Sequence, residues 1–145
     1  MSLTNFSWKK VTILGGVVMV AALGIMDWRN NQAKNTPEAL AACRAELSCW
    51  AYEHKNPAAT RCKEEVTRLA KYEVRWTETV ATSAHPIFSR YQWLDKSAGT
   101  VAYIGDEVEF QNTFGTFEKH TYRCDYDPAT KSVLDVRVEA GRLPA

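Results

Sequence analysis

The chain has 145 residues, about one domain's worth. Lys and Arg number 18 against 17 Asp and Glu, a formal net charge of +1, which argues against a phosphate-binding surface for nucleic acid. Apolar residues make up 46% and charged residues 24%, which excludes general disorder.

The first element is an apolar run, Val11 to Met26, with no charged side chain. Lys9 and Lys10 precede it; Asp27, Trp28 and Arg29 follow. Sixteen residues is short of the roughly 20 a bilayer span needs. Trp8 and Trp28 bracket the run, however, and the helical distance between them is about 30 Å. Tryptophan at both ends is the pattern of an interfacial aromatic belt. Residues 1–10 therefore read as a short cytoplasmic amino terminus, 11–28 as a single transmembrane anchor, 29–35 as a polar linker and 36–145 as a periplasmic or otherwise extracytoplasmic domain. Gly16, Val20 and Gly24 share one helical face, where small residues let a partner helix approach closely. A cleaved signal peptide is the alternative, with Ala22-Leu23-Gly24 as a small-x-small site.

Thr36-Pro37-Glu38 is a helix start, with Thr as cap, Pro at the first position and an acid in the first turn. Leu40, Cys43, Leu47, Trp50 and His54 continue it at spacings of three and four. Asn56-Pro57 restarts the pattern, and Cys62, Val66, Leu69, Glu73, Trp76 and Val80 form a second stripe. The spacing predicts an antiparallel helical hairpin turning between Lys55 and Asn56.

The four cysteines, at 43, 49, 62 and 124, have no zinc-ligand spacing. An even number in a small exported domain predicts two disulfides. Cys43 and Cys49 on one helix would be about 9 Å apart along its axis, beyond the roughly 7 Å limit for a bridge. Cys49 and Cys62 are equidistant from the expected turn. The expected pairs are Cys49–Cys62 and Cys43–Cys124.

After residue 84 the period changes to two. Strands are expected at 88–94, 100–104, 107–112, 117–125 and 132–139. The turns between them are Lys96-Gly99, Gly105-Asp106, a break at Gly115, and Asp127-Thr130. Leu134, Val136 and Val138 should point inward. Helices followed by strands make the class α+β: a transmembrane helix, then a helical hairpin packed on a roughly five-stranded antiparallel meander. One sheet face is covered by the hairpin and the other is solvated.

Chemistry-bearing residues are sparse. His54, His85 and His120 show no ligand spacing, and His54 would sit at a helix carboxyl end, which favours a cation. Glu107 and Glu109 fall on one outward, solvated strand face beside Asp106. No catalytic, cofactor or metal residues are expected. Tyr91 and Trp93 share a strand face and would form a contact patch if it is outward. Gln111-Asn112-Thr113-Phe114-Gly115 reads as a capped strand end or as a loop aiming Phe114 outward.

In element order the chain resembles the single-pass inner-membrane scaffolds of secretion systems, whose periplasmic part is helices over a curved antiparallel sheet. That likeness is of architecture alone and carries no residue role. The expected function is non-enzymatic: a membrane-anchored envelope protein acting by protein–protein contact, an accessory or assembly subunit of a larger inner-membrane complex. Its partners would be the bilayer and the subunits of that complex, with no nucleic acid or small-molecule substrate. The location would be the bacterial inner membrane, with the carboxyl-terminal domain in the periplasm. The alternatives are an inhibitor or immunity module against an exported enzyme and a small envelope hydrolase.

Overall fold

Thr36 opens the first described helix as its spacing predicts. The computed structural model describes residues 36–79 and 85–144. The chain divides into two compact units, 1–42 and 43–145. Of the first, the described part is residues 36–42, the beginning of α1 (Pro37–Ala45). There the Thr36 hydroxyl accepts from the Ala39 amide at 3.2 Å, satisfying one of the unpaired amides of the first turn.

The second unit holds the sheet and α2 (Leu47–Arg68). The expected hairpin is not formed. The helical break falls ten residues earlier than expected, at Glu46, which is extended (φ −115°, ψ 121°). Pro57 then sits inside a continuous 22-residue helix. An interior proline costs about 3 kcal/mol. The buried face of Ala51, Ala58, Cys62 and Val66 offsets that cost, because the helix must be continuous to carry all four onto the sheet.

The early break changes the disulfides. The bridges are Cys43–Cys49 and Cys62–Cys124, not Cys49–Cys62 and Cys43–Cys124. The extended residue between Cys43 and Cys49 brings their Cα atoms to 5.1 Å, which a single helix would not allow. Cys49 and Cys62 lie 13 residues apart on one helix, about 20 Å along its axis. Cys62 faces the sheet and reaches Cys124 with a Cα separation of 5.9 Å.

Five antiparallel strands follow: β1 (Val74–Trp76), β2 (Arg90–Asp95), β3 (Thr100–Gln111), β4 (Phe117–Asp127) and β5 (Ser132–Ala140). The count matches the expectation, but the membership does not. The second apolar stripe ends with the helix at Arg68, and its continuation, Val74-Arg75-Trp76, becomes β1. β-Branched and aromatic side chains fit a pleated surface, and here they find one: Val74 lies opposite Phe110 and Trp76 opposite Val108. Gly105-Asp106 is not a turn. β3 runs through it with a register shift between Gly105 and Val108, a bulge that merges two expected strands into one of 12 residues.

The order is β1-β3-β4-β5, with β2 also paired to β3. β2 takes residues 100–104 of β3 and β1 takes 108–110, so they divide one side of that long strand. Before the bulge Val101 and Tyr103 face α2; after it the parity changes and Val108 is the buried residue. A second register shift, between Asp125 and Tyr126, does the same to β5. Val133, Val136 and Val138 pack inward, while Leu134, expected inside, is 53% exposed.

Tyrosines dominate the core. Tyr103 contacts the rings of Phe88, Tyr91 and Tyr126 at 4.7, 5.6 and 6.1 Å, and its hydroxyl donates to the Ala51 carbonyl at 3.0 Å. Trp50 ties the start of α2 to the β2–β3 turn through its indole N–H to Gly99 O, at 2.7 Å. Arg44 stacks on that indole and donates to the Ser97 and Ala98 carbonyls. The described residues thus form an α+β fold, with two helices, a five-stranded antiparallel sheet and two disulfides. Among the described residues no helix is long and apolar enough to cross a membrane. Trp8, Gly16, Gly24 and Trp28 lie outside the described residues.

Candidate functional site

At the bulge in β3 a polar cluster gathers on the outer sheet face with a cleft beside it. Thr77, just past β1, donates its amide to the Glu107 carbonyl at 3.0 Å and its hydroxyl to Glu107 Oε2 at 2.5 Å. Lys119 Nζ donates to the same carboxylate oxygen at 2.9 Å and to Thr77 Oγ1 at 2.7 Å. His85 Nδ1 lies 3.0 Å from Glu107 Oε1. Asp106 and Arg142 complete the walls of a cleft of about 240 Å³. Burial disfavours the charge on Glu107, yet hydrogen bonds from Thr77, Lys119 and His85 outweigh it and hold the carboxyl below its usual range.

Glu107 is therefore not the solvated acid expected from alternation: its side chain is only 13% exposed. Glu109 pairs instead with Arg75, whose guanidinium lies 3.9 Å from the Phe117 ring. Thr77 spends its proton on Glu107 and receives one from Lys119, so both roles of its hydroxyl are filled. As arranged, the cluster clamps β1 to the bulge. Periodicity missed Thr77 and Lys119, since Thr77 fell in an expected helix. The usable signal was a glycine amid strand-forming residues, which marks a bulge as readily as a turn.

The other histidines stay apart. His54 is in mid-helix, not at a carboxyl end, with its ring 4.2 Å from Trp50. Burial, with a smaller push from Lys131, outweighs the nearby Glu53 and lowers its pKa, so the neutral ring is favoured. His120 stacks on Phe110 at 4.7 Å. Among the described residues no three of His, Cys, Asp and Glu are placed to hold a metal ion. A second cavity, of about 320 Å³, lies between α2 and residues 78–79 and 86–87. Lys63, held by Glu78 and lying over the Trp76 ring, sits at its wall.

Tyr91 and Trp93 are half-buried and pack against the core, so their face is the inward one and they form no outward patch. They lie opposite Tyr103 and Val101, on the side that α2 covers.

Phe114 differs from both. It is 91% exposed at the tip of the β3–β4 hairpin. Asn112 organises that tip: its side-chain oxygen accepts from the Phe114 and Thr116 amides at 2.9 and 3.0 Å. Its side-chain nitrogen donates to Glu118 at 2.7 Å, and Gln111 donates to the Gly115 carbonyl. Gly115 takes φ +83°, the left-handed conformation that closes the loop. The aromatic ring is thus held in solvent by a turn that the Asn112 side chain orders. The capped strand end and the outward-aimed aromatic, read from sequence as alternatives, are one feature.

Compared with known protein families, curated proteins and solved structures, the chain matches none.

Proposed function

We propose that the protein is a non-enzymatic, membrane-anchored envelope protein that works by protein–protein contact, as an accessory or assembly subunit of a larger inner-membrane complex. The observation that carries this reading is Phe114, 91% exposed on a turn whose backbone Asn112 has already ordered. An aromatic side chain loses little entropy on binding, and a preorganised loop loses less than a mobile one. Apolar anchors of this kind supply most of the energy in protein interfaces.

The anchor and location rest on the sequence. Trp8 and Trp28 bracket the run, Gly16 and Gly24 offer a close-packing face, and Lys9 and Lys10 favour an inside amino terminus. The two disulfides fit an oxidising compartment such as the periplasm.

The test is gentle detergent extraction of the native full chain, followed by mass spectrometry of what co-elutes. A stoichiometric set of membrane proteins that is lost with Phe114→Ala supports the reading. A chain that elutes alone, or one whose partners ignore that substitution, overturns it. The same tip also suits a second reading, an inhibitor or immunity module. In that case the co-eluting species is a single exported enzyme.

A further inference from the structure

The carboxyl-terminal strand β5 is an edge: within the described residues it pairs with β4 and with nothing beyond. The phase of its backbone is set by the Gly141 amide, which donates to Lys119 O at 2.9 Å. Ala140 and His120 are therefore a non-hydrogen-bonded pair. By alternation, the N–H and C=O groups of Val136 and Val138 point away from β4, toward the open side. The same strip is apolar on one face, since Val136 and Val138 are only partly buried under α2. On the other face it carries Asp135 and Arg137, joined at 2.9 Å.

The geometry points to a second copy of this chain as the occupant of that edge, paired antiparallel β5 to β5 about a twofold axis through Val136. Val136 is the midpoint of Ser132–Ala140, so this register overlaps the strands most fully. It sets Val136 opposite Val136 as a hydrogen-bonded pair, which the outward backbone groups require. It sets Asp135 opposite Arg137 twice, in the non-hydrogen-bonded positions where side chains come closest. Moving the axis one residue to Arg137 would put that arginine opposite itself and Asp135 opposite Glu139, all like charges. A parallel, in-register pairing would also stack like on like. The bulge at Leu134 and the charges blunt the edge toward an arbitrary strand, while leaving it complementary to its own copy. The product is one continuous sheet with α2 of both copies on the same face. This inference does not depend on the proposed function.

The experiment uses the full chain in detergent micelles and reads association by analytical ultracentrifugation and the Val136 and Val138 amides by hydrogen exchange. Asp135→Arg or Arg137→Asp each turns two attractive pairs into two repulsive ones, and either should weaken self-association about tenfold. The double swap Asp135→Arg/Arg137→Asp should restore it, and circular dichroism controls for the fold. The two amides should slow as the protein concentration rises. Self-association that ignores the charge reversals, with both amides fast, overturns the proposal and places the contact elsewhere. A chain monomeric at all concentrations also overturns it. Slow exchange of both amides in a monomer does so too, by giving the edge to another segment of the same chain.

Discussion

Gly105 shows how one residue sets the shape of the polar cluster. A Cβ there would overlap the Ile87 carbonyl oxygen and the Tyr122 hydroxyl, which hydrogen-bond to each other across it. One neighbour is a backbone oxygen and the other belongs to a buried ring, so neither yields as the end of a flexible side chain would. Gly105→Ala should therefore cost about 2–3 kcal/mol by overpacking, read as a lowered midpoint in urea denaturation. Glu107, two residues on, makes a different kind of prediction. Its folded pKa is depressed, so its contribution is complete above the ordinary carboxylate range and is lost as pH falls through the folded value. Glu107→Gln should give a less stable protein at pH 7 whose remaining stability declines less steeply at acid pH. The His54 contribution persists in that variant and falls in a separate window. The folded pKa of His54 is lowered, so the unfolded chain takes the proton first and stability declines from about pH 6.5 downward. Denaturation midpoints measured between pH 7 and pH 3 separate the two; equal acid slopes in both proteins would show that the Glu107 hydrogen bonds do not matter energetically.

At the scale of elements, the bridges do unequal work. Cys62–Cys124 closes a loop of 62 residues and joins α2 to the sheet; Cys43–Cys49 closes a loop of six and braces the break at Glu46. In the chain-entropy model the first contributes about 4 kcal/mol and the second about 2. Replacing Cys62 and Cys124 by Ala should lower unfolding free energy by about twice as much as replacing Cys43 and Cys49, measured by equilibrium denaturation without reductant. A larger loss from the short bridge would assign the stabilisation to the helical break. The same elements show what sequence pattern conveys. β2, β4 and β5 and the turns at Lys96-Gly99 and Gly115 follow directly from alternation and turn chemistry. The helices do not, because apolar spacing is nearly blind to a one-residue break such as Glu46 and local rules overvalue Pro57 as a stop. The disulfide pairing depended on that register, so the two fail together. Bulges are harder still: the one at Leu134 turns Val133 inward and leaves Leu134 exposed, while Glu107 keeps its outward face and is covered there by Thr77, Lys119 and His85. Phe114 was legible because Asn and Gly around an aromatic signal a bonded turn, whereas the Thr77–Lys119 contact joins residues 42 apart and has no local signature.

At the scale of the whole molecule, a sheet with one face under α2 and a charged outer face leaves two features unspent, the Phe114 tip and the β5 edge. The tip is at the β3–β4 hairpin and the edge at the carboxyl-terminal strand, so a partner at Phe114 and a second copy at β5 use different parts of the unit. Both act at higher effective concentration if the chain is confined to a membrane surface, where a modest contact becomes sufficient. The proposed anchor is therefore part of the mechanism and not merely an address. Its apolar run is flanked by Trp8 and Trp28, and a chain held by such a segment resists extraction by alkali, unlike one adsorbed through its charged face. The intact chain should remain with the membranes after a carbonate wash, and it should begin with its original amino terminus. Recovery in the wash of a chain starting near Ile25 would mean that the run is a cleaved leader, and the β5 and Phe114 contacts would then have to act in solution without that help.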